Sequence, residues 1–358
     1  MEKLATILKA YGFAQDSVQA EPLGNGLINE TWKLKTADRA YVLQRINNTV
    51  FTEPATIAYN IGLITDYMNK QFPEYMFVSP VPLVGGEQMI YREGMGYFRL
   101  FPFINGSHSK DVVGSAEEAY EAASQFGKFT KLLSDFDVAQ LKITLPHFHD
   151  LSYRYNQFTD ALANGNRNRI KTSTALINFI KQHNDIVDTY ELIKANPDFK
   201  KRVIHHDTKI SNVLFNDANK SLCVIDLDTV MPGFFISDVG DMFRTYLSPV
   251  SEEETDLGKI KIREDLYKAI VSGYCREMEN ELTNVEKRYF FYAGKFMIYM
   301  QATRFLTDHI NDDIYYGANY PGHNFNRAEN QVTLLKKLME KKAVLVNYAD
   351  SNLLKDQL

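Results

Sequence analysis

The chain has 358 residues, of which 45% are hydrophobic; that is long for one domain, comfortable for two, and enough to bury a sizeable core. Its formal net charge of -5 argues against nucleic acid or an anionic membrane as the main partner, and no basic stripe stands out. Two cysteines, Cys223 and Cys275, make neither a disulfide framework nor a metal cluster.

In chain order, the first segment places Leu4, Ile7, Leu8 and Tyr11 at helical spacing. Glu2, Lys3 and Lys9 interrupt any apolar core that a signal peptide would need, so a short surface helix and a cytoplasmic location are expected. Two strands follow around a turn at Thr36 to Arg39, with Gly24 and Gly26 at the entrance, where glycines let backbone N–H groups approach phosphate oxygens closely. The second strand, Tyr41 to Ile46, offers Gln44 or Arg45 as the group that steadies phosphates; Arg45 is preferred because a guanidinium can make two-point phosphate contacts. Pro54 opens a helix through about Lys70, with Ile57, Ile61, Ile64 and Met68 on one face. Strand-like segments then run from Val78 to Phe101. From about Ser115 the pattern Ala119, Ala122, Ala123, Phe126, Phe129, Leu133 is that of a buried helical face. His147, His149, Asp150 and Arg154 lack a further ligand at a defined spacing, so they read as a capped helix start, not a metal site. The most apolar stretch, Tyr289 to Met300, is too short to cross a bilayer and is flanked by Arg288 and Arg304, which makes it a buried helix.

The chemistry concentrates between Val203 and Asp228. Two short apolar runs, Val213 to Phe215 and Leu222 to Ile225, flank a turn-rich NDANKS and predict an antiparallel hairpin that carries Asn212 and Asp226 to one mouth, close to Asp207. Phosphoryl transfer from a nucleotide needs a carboxylate to take the proton of the attacking hydroxyl, oxygen ligands for Mg²⁺, and a cation to offset the moving charge. Asp207, then Asp226 with Asn212, then Lys209 supply those parts, and Asp228 is a further candidate metal ligand.

The H-x-D-x-K-x-x-N spacing from His205 to Asn212, with Asp226 downstream, resembles the catalytic loop of the protein-kinase-like superfamily. Leu-Asp after Asp226, in place of Phe-Gly, points to its small-molecule branch of aminoglycoside phosphotransferases and choline kinases. The resemblance implies an α+β bilobal kinase-like fold: residues 1–104 as a small antiparallel-sheet lobe that binds nucleotide, and 105–358 as a mainly helical lobe with the catalytic loop and substrate pocket. It also implies a hinge at Phe101 to Phe103 whose backbone holds adenine, and a structural role for Asp238, in D-V-G-D, bracing the catalytic loop. The short distance from Asp226 to Asp241 leaves no room for a peptide-docking activation segment.

Taken together, GNGLINETW, YVLQRIN, FRLFPFINGS, HHDTKISN, VIDLDTVMPG, DVGD and RFLTDHI with a later YY resemble the N-acetylhexosamine 1-kinases. That implies transfer of the γ-phosphate of ATP, with Mg²⁺, to the anomeric hydroxyl of GlcNAc or GalNAc. Arg304, Asp308, Tyr315 and Tyr316 then become candidates for the sugar pocket, followed by Arg244, with Leu27 and Asn29 reaching from the glycine-rich turn and Asp207 on the reacting hydroxyl. The rivals are another small-molecule kinase of the same fold, acting on an amino sugar antibiotic, choline or a different hexose, and a catalytically dead nucleotide-binding scaffold.

Overall fold

The computed structural model describes residues 2–14, 17–23 and 29–353, which form two compact units. The first comprises residues up to Ser109 together with 135–146 and 212–232; the second comprises 110–134, 147–211 and the chain from Gly233 onward. Each unit is therefore assembled from separate segments, whereas the sequence suggested a single change of unit at 104.

The first unit is built on a five-stranded antiparallel sheet in the order Gln19–Pro22, Glu30–Lys35, Ala40–Ile46, Gly96–Pro102, Ile90–Arg92. Side chains alternate between its faces. Leu34, Leu43, Phe98 and Leu100 are buried together with Ile7 and Leu8 of the first helix, Glu2–Ala10. On the opposite face Thr31, Gln44 and Arg99 stand in a row, because Gln44 pairs with Thr31 on one side and Arg99 on the other. Gln44 and Arg45, as neighbours in one strand, must then point to opposite faces, so choosing between them is choosing a face.

The helix Pro54–Gln71 starts on its proline and buries Ile57, Ile61, Ile64 and Met68. Its fully buried Asn60 donates to the carbonyls of Lys142 (2.8 Å) and Val230 (3.0 Å) and accepts from Lys142 N (2.9 Å). Three backbone groups from remote segments are thereby satisfied. That is why 135–146 and 212–232 belong with the sheet. A second small sheet contains the hairpin Val213–Asn216/Ser221–Val224, extended by Ser107–His108.

The second unit is helical. Its centre is Phe290–Ile310, buried almost all round, and packed against Phe235–Tyr246, Leu151–Asn164, Asp185–Ala195 and His323–Glu340. Gly240 permits one of those contacts: a Cβ there would lie 2.4 Å from the Ala293 carbonyl oxygen. The helix Leu151–Asn164 is capped by Asp150, which accepts from Tyr153 N at 3.2 Å, the capped start expected from the sequence. Among the described residues no helix is long and apolar enough to cross a membrane.

Candidate active site

In the helical unit, the strand Arg202–Ile204 is buried at all three positions and delivers the chain to His205. The backbone then turns through His206 at φ 65°, a left-handed conformation that costs a non-glycine residue about 1–3 kcal/mol and survives only where its surroundings hold it. Those surroundings are Asp238 and Asp241, from the first turns of Phe235–Tyr246. Asp238 accepts from His205 N (3.1 Å) and His206 N (2.7 Å), and Asp241 accepts from Thr208 N (2.9 Å). Thr208 donates its hydroxyl to the Asp238 carbonyl at 2.7 Å, and Tyr246 donates to the Thr208 carbonyl at 2.6 Å. The His205 ring packs edge-on against Phe126, centroids 5.1 Å apart. Burial pushes the Asp238 carboxyl up to about 7 despite its two N–H donors.

This frame presents Asp207, with the Lys209 ammonium 3.1 Å from its carboxylate. Asp207, foremost, holds the Lys209 pKa above its ordinary value, so Lys209 stays a cation at neutral pH.

The candidate metal ligands lie in the first unit. The hairpin pairs Val213 with Val224 and Leu214 with Cys223, and Ile225 N donates to the Asn212 carbonyl at 2.9 Å. Asn212 and the residue preceding Asp226 are thus tied together. Asp226 itself sits at φ 60°, likewise in the left-handed region without being glycine. An amide oxygen and a carboxylate are hard-oxygen donors of the kind that Mg²⁺ takes.

Asp228 has other work. It is 2% exposed and ion-paired with Arg99, itself 1% exposed, while its other oxygen accepts from Asn29 Nδ2 at 2.9 Å. Arg99 also donates from Nε and Nη2 to Gln44 Oε1, at 3.1 and 2.9 Å, and Asn29 Oδ1 accepts from Asn47 N at 3.0 Å. Asp228 anchors its segment to the sheet, and both carboxylate oxygens are engaged. Asn29 is part of that anchor. Arg45 pairs with Glu30, directly across the sheet, at 2.8 Å on an exposed margin, on the face away from Gln44 and Arg99. Nothing local in the sequence singles out Arg99, and the signal that would have found it is strand parity: Arg99 lies opposite Gln44. Phe101 and Phe103 are partly exposed; Arg99 lies over the Phe101 ring and Lys33 over that of Phe103, 5.0 and 3.6 Å from their centroids. Phe103 N already donates to the Ala40 carbonyl. Gly24, Gly26 and Leu27 lie outside the described residues.

A cavity of about 320 Å³ opens in the helical unit, lined by Arg154, Gln157, Arg304, Asp308, Tyr315 and Tyr316 among others. The sequence candidates Arg304, Tyr315 and Tyr316 do converge: Arg304 lies over both tyrosine rings, and Asp308 fixes the tyrosine loop by accepting from Tyr315 N (2.7 Å) and Tyr316 N (2.9 Å). Arg304 also covers Phe148, which stacks on His149, whose ring is 5.3 Å from His206. That run of rings links the cavity wall to the residue before Asp207. Burial, then the neighbouring His206 and the guanidiniums of Arg304, Arg244 and Arg154, hold the His149 pKa well below its ordinary value, so it is neutral. Arg244 is not in the cavity lining; its guanidinium is taken up by Asp241 (3.0 Å) and Glu252 (2.7 Å), the ion-pair role that a sequence cannot distinguish from ligand binding. Arg154, read from the sequence as part of a helix start, lines the cavity as well.

A family model described as "phosphotransferase enzyme family" matches residues 19–278. Among solved structures, an aminoglycoside phosphotransferase from Alicyclobacillus acidocaldarius is 12% identical with a TM-score of 0.64, covering 96% of this chain and 95% of that one. A microcompartment-associated aminopropanol kinase is 14% identical at TM-score 0.65, covering 96% and 98%. An amicoumacin kinase solved with AMP-PNP, Ca²⁺ and Ami is 14% identical at TM-score 0.62, covering 94% and 93%. These likenesses show a kinase-like fold with an antiparallel-sheet N-terminal lobe and a mainly helical C-terminal lobe.

Proposed function

Since the chain belongs to the phosphotransferase enzyme family, we propose that it moves the γ-phosphoryl group of ATP to a hydroxyl of a small molecule, and that this hydroxyl is the anomeric one of an N-acetylhexosamine. The observation that carries the reading is the clamped loop: Asp238 and Asp241 hold the backbone of His205, His206 and Thr208 so that Asp207 stands with Lys209 3.1 Å away.

In the proposed reaction Asp207 orients the acceptor hydroxyl and takes its proton as the oxygen bonds to Pγ. The bond from Pγ to the β,γ-bridging oxygen breaks, and ADP leaves. Lys209 offsets charge on the phosphoryl group in flight. Asn212 and Asp226 would hold Mg²⁺, which when bound neutralises phosphate charge. The amicoumacin kinase, solved with AMP-PNP and Ca²⁺, supports a nucleotide and a divalent cation as joint ligands. Gly24 and Gly26 are assigned to the phosphates, and the backbone of Phe101 to Phe103 to adenine. Arg45 is the weaker phosphate candidate because Glu30 already occupies it. An anomeric hydroxyl is more acidic than an ordinary alcohol, so positioning and charge stabilisation carry most of the rate.

The hexosamine assignment rests on the sequence motifs and on the cavity chemistry. Tyr315, 67% exposed, supplies an aromatic wall for a ring face or acetyl methyl, and Arg304 supplies donors for hydroxyls. Incubation with ATP and Mg²⁺ over a panel of free sugars, followed by phosphorus NMR, is expected to give an anomeric phosphate. Phosphate at carbon six, or no sugar product, contradicts the assignment.

A further inference from the structure

Arg154 and Arg304 line one cavity, and neither makes an ion pair among the described residues. Arg154 is only 8% exposed; its Nη1 donates to Gln157 Oε1 at 2.9 Å, and its Nε is buried without an acceptor. Arg304 donates to Gln301 Oε1 at 3.2 Å and to the Tyr315 hydroxyl at 3.5 Å, and its guanidinium lies over the Phe148 and Tyr316 rings. Two carboxylates share the lining, Asp160 and Asp308, but neither is paired with Arg154 or Arg304. Asp308 is committed to Tyr315 N, Tyr316 N and Asn324 Nδ2, and Asp160 is exposed. Burial, reinforced by Arg304, pulls the Arg154 pKa below its ordinary range, as expected for two cations without a counter-charge. A buried polar atom without a partner costs stability and calls for an explanation at a functional site.

We infer that this cavity is a charge filter in which Arg154, acting with Arg304, selects acceptors bearing neutral or anionic oxygen groups and rejects those bearing an ammonium group. The inference rests on the cavity being the acceptor site. Oxygen atoms of a carbonyl, hydroxyl or carboxylate would accept from the two guanidiniums, while an ammonium has no acceptor to offer and is repelled by both. An amino alcohol or an aminoglycoside therefore brings its ammonium against two unpaired guanidiniums, although the fold is shared with kinases named for such compounds.

The test compares acceptors that differ in one group. N-acetylglucosamine and glucosamine, the latter protonated at about pH 6.5, are assayed for kcat/KM and for calorimetric binding, with choline as a second cation, in the wild type, Arg154→Gln, Arg154→Lys and Arg304→Gln. The wild type is expected to favour the acetylated sugar by on the order of 100-fold, as two like charges within a partly buried site demand. Arg154→Gln shrinks that ratio to within about tenfold, Arg154→Lys preserves it, and the KM for ATP stays unchanged. Thermal melts establish that each variant folds; should Arg154→Gln fail to, Arg304→Gln must show the same narrowing. With glycerol added as a neutral non-sugar alcohol, a wild type that accepts glucosamine or choline as well as the neutral acceptors, or binds none of the four compounds, overturns the filter, as does an unchanged ratio in both glutamine variants. If a neutral non-sugar alcohol is the acceptor, the hexosamine reading falls and the filter stands. If glucosamine and its acetyl derivative are phosphorylated equally at the anomeric position, the filter falls and the sugar 1-kinase reading stands.

Discussion

Asp228 can be a metal ligand or the buried counter-ion of Arg99, and the two roles predict different energetics. The structure favours the ion pair: the partners are 2% and 1% exposed, and Asn29 takes the remaining carboxylate oxygen. Removing one member of such a pair strands a charge in a dry setting and costs about 3–5 kcal/mol. Asp228→Asn is expected to lose that amount, since the Asn29 amide also forfeits an acceptor at a cost of about 1–3 kcal/mol, and Arg99→Met should lose a similar amount. The double variant Arg99→Met/Asp228→Asn should be more stable than the summed costs imply by at least about 2 kcal/mol, because neither charge is left alone. Urea unfolding reports this directly through Trp32, the single tryptophan, which lies in the same sheet and stacks on Phe98 beside Arg99 with centroids 6.4 Å apart. Strictly additive losses would refute the pairing argument. So would an Asp228→Asn protein of unchanged stability whose turnover needs far more Mg²⁺.

Two other outcomes follow from the clamp on the catalytic loop. Gly233→Ala would set a Cβ 2.6 Å from His206 Nε2, shifting the residue that precedes Asp207; kcat should fall by about 10–100-fold with the KM for ATP nearly constant, as misplacement of a catalytic group does. Asp238 has its pKa raised by burial to about 7 in the folded protein, so between about 4, its unfolded value, and 7 the native state holds a proton that the unfolded chain has released. Its contribution to stability is full below that window and is lost as pH rises through about 7. Asp238→Asn should remove this slope, changing the wild-type-minus-variant stability across the window by up to roughly 4 kcal/mol; parallel pH profiles in urea titrations would show that Asp238 is ionised throughout.

What was legible in the sequence was local. The hairpin at Val213–Asn216/Ser221–Val224 follows from two apolar runs around a turn, and the bracing by Asp238 was implied by the resemblance of D-V-G-D to the kinase-like superfamily. The helices at Pro54–Gln71 and Phe290–Ile310 follow from their apolar spacing. What was hidden depends on partners far apart in the chain. Arg99 reaches Asp228 and Gln44, and Asn60 reaches Lys142 and Val230; no periodicity encodes such pairs. Gln44 and Arg45 are alternatives at the level of sequence, yet parity puts them on opposite faces, and only the neighbouring strand reveals which face bears the buried charge. Arg244 and Arg304 look alike in sequence. Acidic neighbours occupy the first, while the second is left to line a cavity.

The central claim is that Asp207 takes the proton of the acceptor, and Asp207→Asn tests it most directly. With ATP, Mg²⁺ and N-acetylglucosamine, kcat should drop by about 10²–10⁴-fold, while nucleotide affinity, measured by titration, stays within about twofold of the wild type. Turnover at the wild-type rate with the variant contradicts the claim.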